Sequence, residues 1–188
     1  MAFPVLKQAG VTAAFFVATG YVGTLREFPH DSRETPTSYE GPTLFAKLTW
    51  DDLRAMQAAG FEIGSHTVNH TNLGRADEET VAREVHESLK SLNKELGAAA
   101  RPFSFPWGKP RDISQRAIDE VKRAGYYSAV SAYGGVNSGC SDLFDIRRID
   151  VGNGRTSKLA VRARIAGLDP EYSRINRAAI ENGGVSEN

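Results

Sequence analysis

The chain is poor in the groups that usually announce a function. It has a single cysteine, Cys140, in 188 residues, which excludes an intrachain disulfide and gives no sign of a cysteine zinc site. It has no excess of charge: 23 lysines and arginines balance 23 aspartates and glutamates, so no global field draws it to nucleic acid or to an anionic membrane. No apolar run approaches the roughly 20 residues that span a bilayer. The opening MAFPVLKQAG has neither the basic start nor the long apolar middle of a signal peptide, and the cytoplasm is the default expectation. There is no internal repeat, and the end ENGGVSEN reads as a frayed tail. Histidine is scarce too, with four in the chain, so two of them at close spacing carry weight.

What is present is alternation. The length suits one domain with a sizeable core, and 40% hydrophobic residues suit a globular chain. A helix ending near Gln8 and Gly10 leads into VTAAFFVAT, residues 11–19, rich in aromatic and β-branched residues and read as a strand. The same punctuation returns twice. A helix from Trp50 to Ala59 stops at Gly60 before a strand of about four residues, and a second helix stops at Gly125 before a strand over residues 126–131. Residues 77–96 carry Val81, Val85, Leu89, Leu92 and Leu96 at helical steps. RPFSFPWGKP predicts a short aromatic strand and a turn, LFDIRRIDV (143–151) a further strand, and SKLAVRARIAGL a closing helix. Helix-glycine-strand units predict an α/β fold with parallel strands, as a barrel or an open sheet, with chemistry beyond the strand C-termini. The polar segment 23–47 has no periodicity, and loops of that length are usually functional or disordered.

SHTVNH and PWGKP stand at such strand ends. His66 and His70, at i and i+4 after FEIGS, can converge on one metal if the backbone turns helically there, and Thr67 could hydrogen-bond a ring. The alternative is two structural histidines, one capping a helix and one filling a polar gap. His86 is expected on the solvent side of its helix, His30 in the long loop, and Cys140 has no base near it in sequence.

These segments, in this order, resemble the polysaccharide deacetylases, carbohydrate esterase family four. SHTVNH is similar to that family's H-[ST]-x-x-H motif, and FSFPWG to its aromatic-x-aromatic-Pro-aromatic-Gly motif. GVTAAFFVATGYVG, LTWDDLRAMQAAGFEIGSHT and LFDIRRIDV match as well, so the resemblance runs over about residues 3–151. It implies a distorted (β/α) barrel and metal-dependent removal of acetyl groups from N-acetylated glycans. It makes residues 1–156 the deacetylase-like α/β domain and 157–188 a C-terminal helix and tail of that domain. It further implies that His66 and His70 are ligands of a divalent metal, usually zinc. The main-chain N–H of Trp107 helps bind the oxyanion, with Pro106 and Gly108 shaping that substrate-binding loop. An amide carbonyl polarised by the metal and charge stabilised by an N–H donor make consistent chemistry.

The sequence also departs from the pattern. The family's first motif, a Thr-Phe-Asp-Asp-Gly-like strand end bearing the base and a third ligand, normally precedes the segment that opens this chain, so the barrel is expected without its first strand. The one Asp-Asp, Asp51-Asp52, follows Thr49 and reads as a helix start. Ser104 replaces the family's third-motif arginine, and Arg148 is the candidate for its orienting role, sharing a period-two face with Phe144 and Ile146. A solvated or salt-bridged Arg148 is the alternative. Besides a hydrolase of carbon–nitrogen bonds, two readings remain: a noncatalytic metal- or glycan-binding relative, and a hydrolase of small cyclic amides.

Overall fold

The structure, a computed structural model, describes residues 2–26, 28, 48–135, 137, 139, 141–149 and 157–166. His30 and Cys140 lie outside the described residues, as does most of the 23–47 segment. In chain order the elements are α1 (Ala2–Gln8), β1 (Ala14–Val17), α2 (Trp50–Ala58), β2 (Glu62–Ser65), α3 (Glu78–Leu96), β3 (Pro102–Ser104), α4 (Gln115–Ala124), β4 (Ser128–Val130) and α5 (Lys158–Ile165). The strands form one parallel sheet in the order β1-β2-β3-β4, the expected α/β class. Among the described residues the sheet is open and β1 lies at its edge. No described helix is long and apolar enough to cross a membrane.

Helices α2 to α5 each start where a side chain satisfies orphan N–H groups. Thr49 and Asp52 form a reciprocal capping box on α2: Asp52 N donates to Thr49 Oγ1 (3.1 Å), and Thr49 N donates to the Asp52 carboxylate (2.8 Å). The Thr49 hydroxyl, which donates to the same carboxylate (2.6 Å), and then the Thr49 N–H hold the Asp52 carboxyl below its ordinary range. Asp51 is exposed and pairs with Arg54 at 2.8 Å. The Asp51-Asp52 pair is therefore used at a helix start, as expected. Asp77, Ser114 and Ser157 cap α3, α4 and α5 in the same way.

Helix α3 ties the core together. Val81 and Val85 from its first half enter one cluster with Phe103, Phe105 and Val121, while Leu92 and Leu96 from its second half join Leu53, Met56 and Ile63 in another. Trp50 packs on the second cluster at the start of α2. His86 is largely exposed, yet its ring meets Glu120 of α4 at 2.6 Å.

Two boundaries differ from expectation. The first strand is Ala14–Val17 rather than 11–19, because the chain winds into a 3-10 turn at Thr19–Tyr21. The strand expected over 143–151 does not form among the described residues, where Ile146 makes a single bridge to Val130. Asp142 accounts for this: its side chain accepts from Phe144 N (2.8 Å) and its carbonyl from Asp145 N (3.0 Å), which bends the first residues into a turn.

Candidate active site

The strand register brings the C-terminal ends of the sheet to one edge: Val17 pairs with Ser65, and Ser104 with Val130. The residues that follow these ends build the site. After β2 the chain turns through Thr67 (φ 67°) and His70 (φ 59°), both in the left-handed region. For β-branched Thr67 that conformation is an outlier and must be held by its surroundings. Thr19 N donates to Thr67 O (3.0 Å), Gly20 N to Val68 O (2.9 Å) and His66 N to Val17 O (2.9 Å), so the end of β1 grips the loop. Beneath it, Ser88 Oγ lies 2.7 Å from Ser65 Oγ and donates to Thr67 O at 3.2 Å.

This turn faces the two imidazoles toward each other, with ring centroids 4.7 Å apart. His66 Nδ1 lies 2.7 Å from the carbonyl oxygen of Ser104, at the end of β3. A carbonyl can only accept, so Nδ1 carries the proton and Nε2 keeps its lone pair, the tautomer a metal ligand requires. Burial, then the neighbouring His70 and Arg148, push the His66 pKa down from 6.5 to about 4, against the opposing pull of the Ser104 bond. The imidazole is therefore neutral at pH 7. Thr67 does not orient a ring: its hydroxyl is buried and has no hydrogen-bond partner among the described residues. The orienting group is the Ser104 carbonyl.

Trp107 completes one wall. It has φ 62° and is followed by Gly108 at φ 64°, a turn closed by a bond from Gly108 N to Pro106 O and anchored by one from Ala132 N to Gly108 O (2.8 Å). Pro106 and Gly108 are buried, while Trp107 is 47% exposed and its ring stands edge-on to His70 at 5.3 Å. Arg148 donates through Nε to Ser131 O just after β4, and its charge reaches His66. His66, His70, Trp107 and Arg148, four residues from three separate parts of the sequence, thus share one edge of the sheet. An apolar cavity of about 260 Å³ adjoins them, walled by Phe16, Val17, Tyr21 and Phe28, with His66 in its lining.

Two imidazoles on one turn, that of His66 neutral and already fixed by a carbonyl, fit a divalent metal as a partial donor set. Among the described residues no third histidine, cysteine, aspartate or glutamate joins them. The sequence reading missed Glu84. Its buried carboxylate accepts from Val68 N (2.9 Å), Asn69 N (2.8 Å) and Asn69 Nδ2 (2.8 Å). The available signal was a glutamate set among Val81, Val85 and Ser88 on the core-facing side of α3.

Comparisons with known proteins bear on the family and the fold. The sequence model described as polysaccharide deacetylase matches residues 1–129. The Bacillus subtilis (strain 168) protein YxkH, named for the same family, is 22% identical over 153 residues, covering 81% of this chain and 47% of that protein. The chain thus spans about half the length of this curated relative. Among solved structures, the Streptococcus pyogenes deacetylase PplD in complex with acetate superposes with a TM-score of 0.66 at 22% identity, over 90% of this chain and 64% of that one. IcaB from Ammonifex degensii gives 0.67 at 24%, over 87% and 66%. At such identities these two likenesses bear on the fold alone.

Proposed function

This chain belongs to the polysaccharide deacetylase family, and we propose that its site serves a metal-dependent hydrolase that removes acetyl groups from N-acetylated glycans. The observation that carries the reading is the meeting of His66 and His70, wound edge to face, with the Pro106–Trp107–Gly108 turn. His66 and His70 hold the metal, for which zinc suits the imidazole donors. When bound, such an ion supplies a Lewis acid that polarises an acetamide carbonyl and activates water.

The chain's own residues do the rest. The Ser104 carbonyl keeps the proton on His66 Nδ1, so at neutral pH the Nε2 lone pair is presented. The Trp107 main-chain N–H, aimed by the turn, donates to the oxyanion as the carbonyl becomes tetrahedral. The half-exposed Trp107 ring offers a face on which a sugar packs, and Arg148 holds a positive charge beside the pair.

Calorimetric titration with Zn²⁺, paired with acetate release from N-acetylglucosamine oligomers, tests the reading. His66→Ala and His70→Ala should each abolish Zn²⁺ binding and whatever acetate release the parent shows. Zn²⁺ binding unchanged in both variants overturns the ligand assignment. Glycan binding with no acetate release, even when the chain is extended by a strand bearing paired aspartates, favours a noncatalytic relative. Hydrolysis of small cyclic amides without acetate release favours the other hydrolase reading.

A further inference from the structure

We propose that Glu84 is a positioning residue for the histidine pair: its buried carboxylate sets the loop between His66 and His70 and thereby the distance between their rings. This rests on the metal-site reading above and adds to it the group that holds the site in shape.

Glu84 is 2% exposed, and among the described residues no cation pairs with it. Burying a carboxylate is costly unless hydrogen bonds offset the lost water. All three of its bonds go to one place, two successive main-chain N–H groups, of Val68 and Asn69, and the Asn69 side chain. An apolar side chain would fill the same space on α3 without that cost, so packing alone does not explain a glutamate here.

The loop's bonding explains it. Its carbonyls at Thr67 and Val68 are taken by Thr19 N and Gly20 N on the β1 side, and Thr67 O also by Ser88 Oγ, one turn beyond Glu84 on α3. Its two central N–H groups donate to Glu84. These N–H groups lie between the two strained residues, Thr67 and His70, each in the left-handed region. Strain of that kind, on the order of 1–3 kcal/mol per residue, persists only where the surroundings over-determine it. Glu84 supplies one side of that constraint. Without it Val68 and Asn69 are free to relax toward ordinary backbone angles, and His70 moves relative to His66, which is pinned separately by Val17 O and Ser104 O.

The geometry also ranks the substitutions. In Glu84→Gln one oxygen can still accept both main-chain N–H groups, but the new amide faces Asn69 Nδ2, donor against donor. Asn69 cannot turn over without giving up the bond from Arg26 Nη1 to its Oδ1 (3.1 Å). Glu84→Ala loses every bond. The order expected is parent, then Gln, then Ala.

The test uses the full chain in two arms. In the metal-free arm, the nuclear Overhauser contact between the His66 and His70 rings and the exchange rates of the Val68 and Asn69 N–H groups are measured. The ring contact should weaken and the exchange quicken progressively through Gln to Ala. In the metal arm, Co²⁺ affinity and its visible absorption are followed, with affinity falling about 10-fold for Gln and toward 100-fold for Ala. If Glu84→Ala does not fold, Glu84→Gln carries both arms. A folded variant with the parent's ring contact and slow exchange overturns the proposal, whatever its melting temperature. A parent that shows the ring contact yet binds no Co²⁺ overturns the metal reading instead, while the metal-free arm still judges Glu84.

Discussion

Gly108 shows how much one residue can decide at this site. At φ +64° it occupies backbone space that L side chains rarely adopt, and an added Cβ would lie 2.6 Å from Ala132 N and 2.7 Å from Ala132 Cβ. Gly97, at φ +82°, shares the first problem but not the second, since a Cβ there meets nothing within 4 Å. Gly108→Ala should therefore destabilise the chain more than Gly97→Ala, by about 1–3 kcal/mol for the added overpacking. Urea unfolding of the two variants measures the difference, and equal losses would show that the Trp107 turn has room to give. His66 supports a second expectation at this scale. Its folded pKa of about 4 lies below the ordinary 6.5, so between those values the unfolded chain binds the extra proton. The stabilisation is complete above about pH 6.5 and is lost as pH falls toward 4. At about 1.4 kcal/mol per pH unit this amounts to about 3 kcal/mol. Chelator-treated parent and His66→Asn, unfolded in parallel from pH 7 to 4, should converge in stability as the pH drops. A constant gap across that range would contradict the His66 assignment.

The elements show why some of the fold was readable and some was not. Helix α2 was legible because its start is written locally, in Thr49 and Asp52 three residues apart. Thr49→Ala should cost about 1 kcal/mol in thermal or urea unfolding. Asp52→Ala should likewise weaken α2 while leaving Zn²⁺ affinity at the parent value, and a large loss of affinity would return Asp52 to the site. The spacing of Val81, Val85, Leu92 and Leu96 likewise revealed α3, and the SHTVNH and FSFPWG stretches pointed to His66, His70 and Trp107 without help from the fold. The groups that hold those residues left no such trace. Ser104 acts through its carbonyl, which any residue would supply, and Glu84 reaches a loop 15 residues away in sequence that only the packing of α3 under β2 brings near. The left-handed Thr67 and Trp107 stand in turns held by bonds from distant segments, the 3-10 turn after β1, α3 and the chain just beyond β4, against local preference. The run 143–149 alternates as a strand should, yet the turn made by Asp142 limits its pairing to one bridge.

At the scale of the whole molecule the sheet ends at β1, and the described residues bring no carboxylate to the histidine pair. Asp52 is held by Thr49 and Asp51 by Arg54. Asp142 accepts from Phe144 N and pairs with Lys122 at 3.4 Å, and Asp145 accepts from the Tyr133 hydroxyl. Each of these carboxylates has a local task, and none is placed to take a proton from water between His66 and Trp107. With no base assigned among the described residues, acetate release by the 188 residues should be slow even where a divalent metal binds. The resemblance implies a base borne on a strand with paired aspartates, and the edge of β1, open among the described residues, is where a further parallel strand would hydrogen-bond. Joining such a strand ahead of Met1 should raise the rate of acetate release by about 10²–10⁴-fold, the contribution typical of a positioned general base, with no change elsewhere. The measurement is acetate release from N-acetylglucosamine oligomers with added Zn²⁺ or Co²⁺, comparing the extended and unextended chains. Fast turnover by the unextended chain would overturn this expectation and direct the search for the base to Asp142 and Asp145, where Asp→Asn substitutions would then identify it.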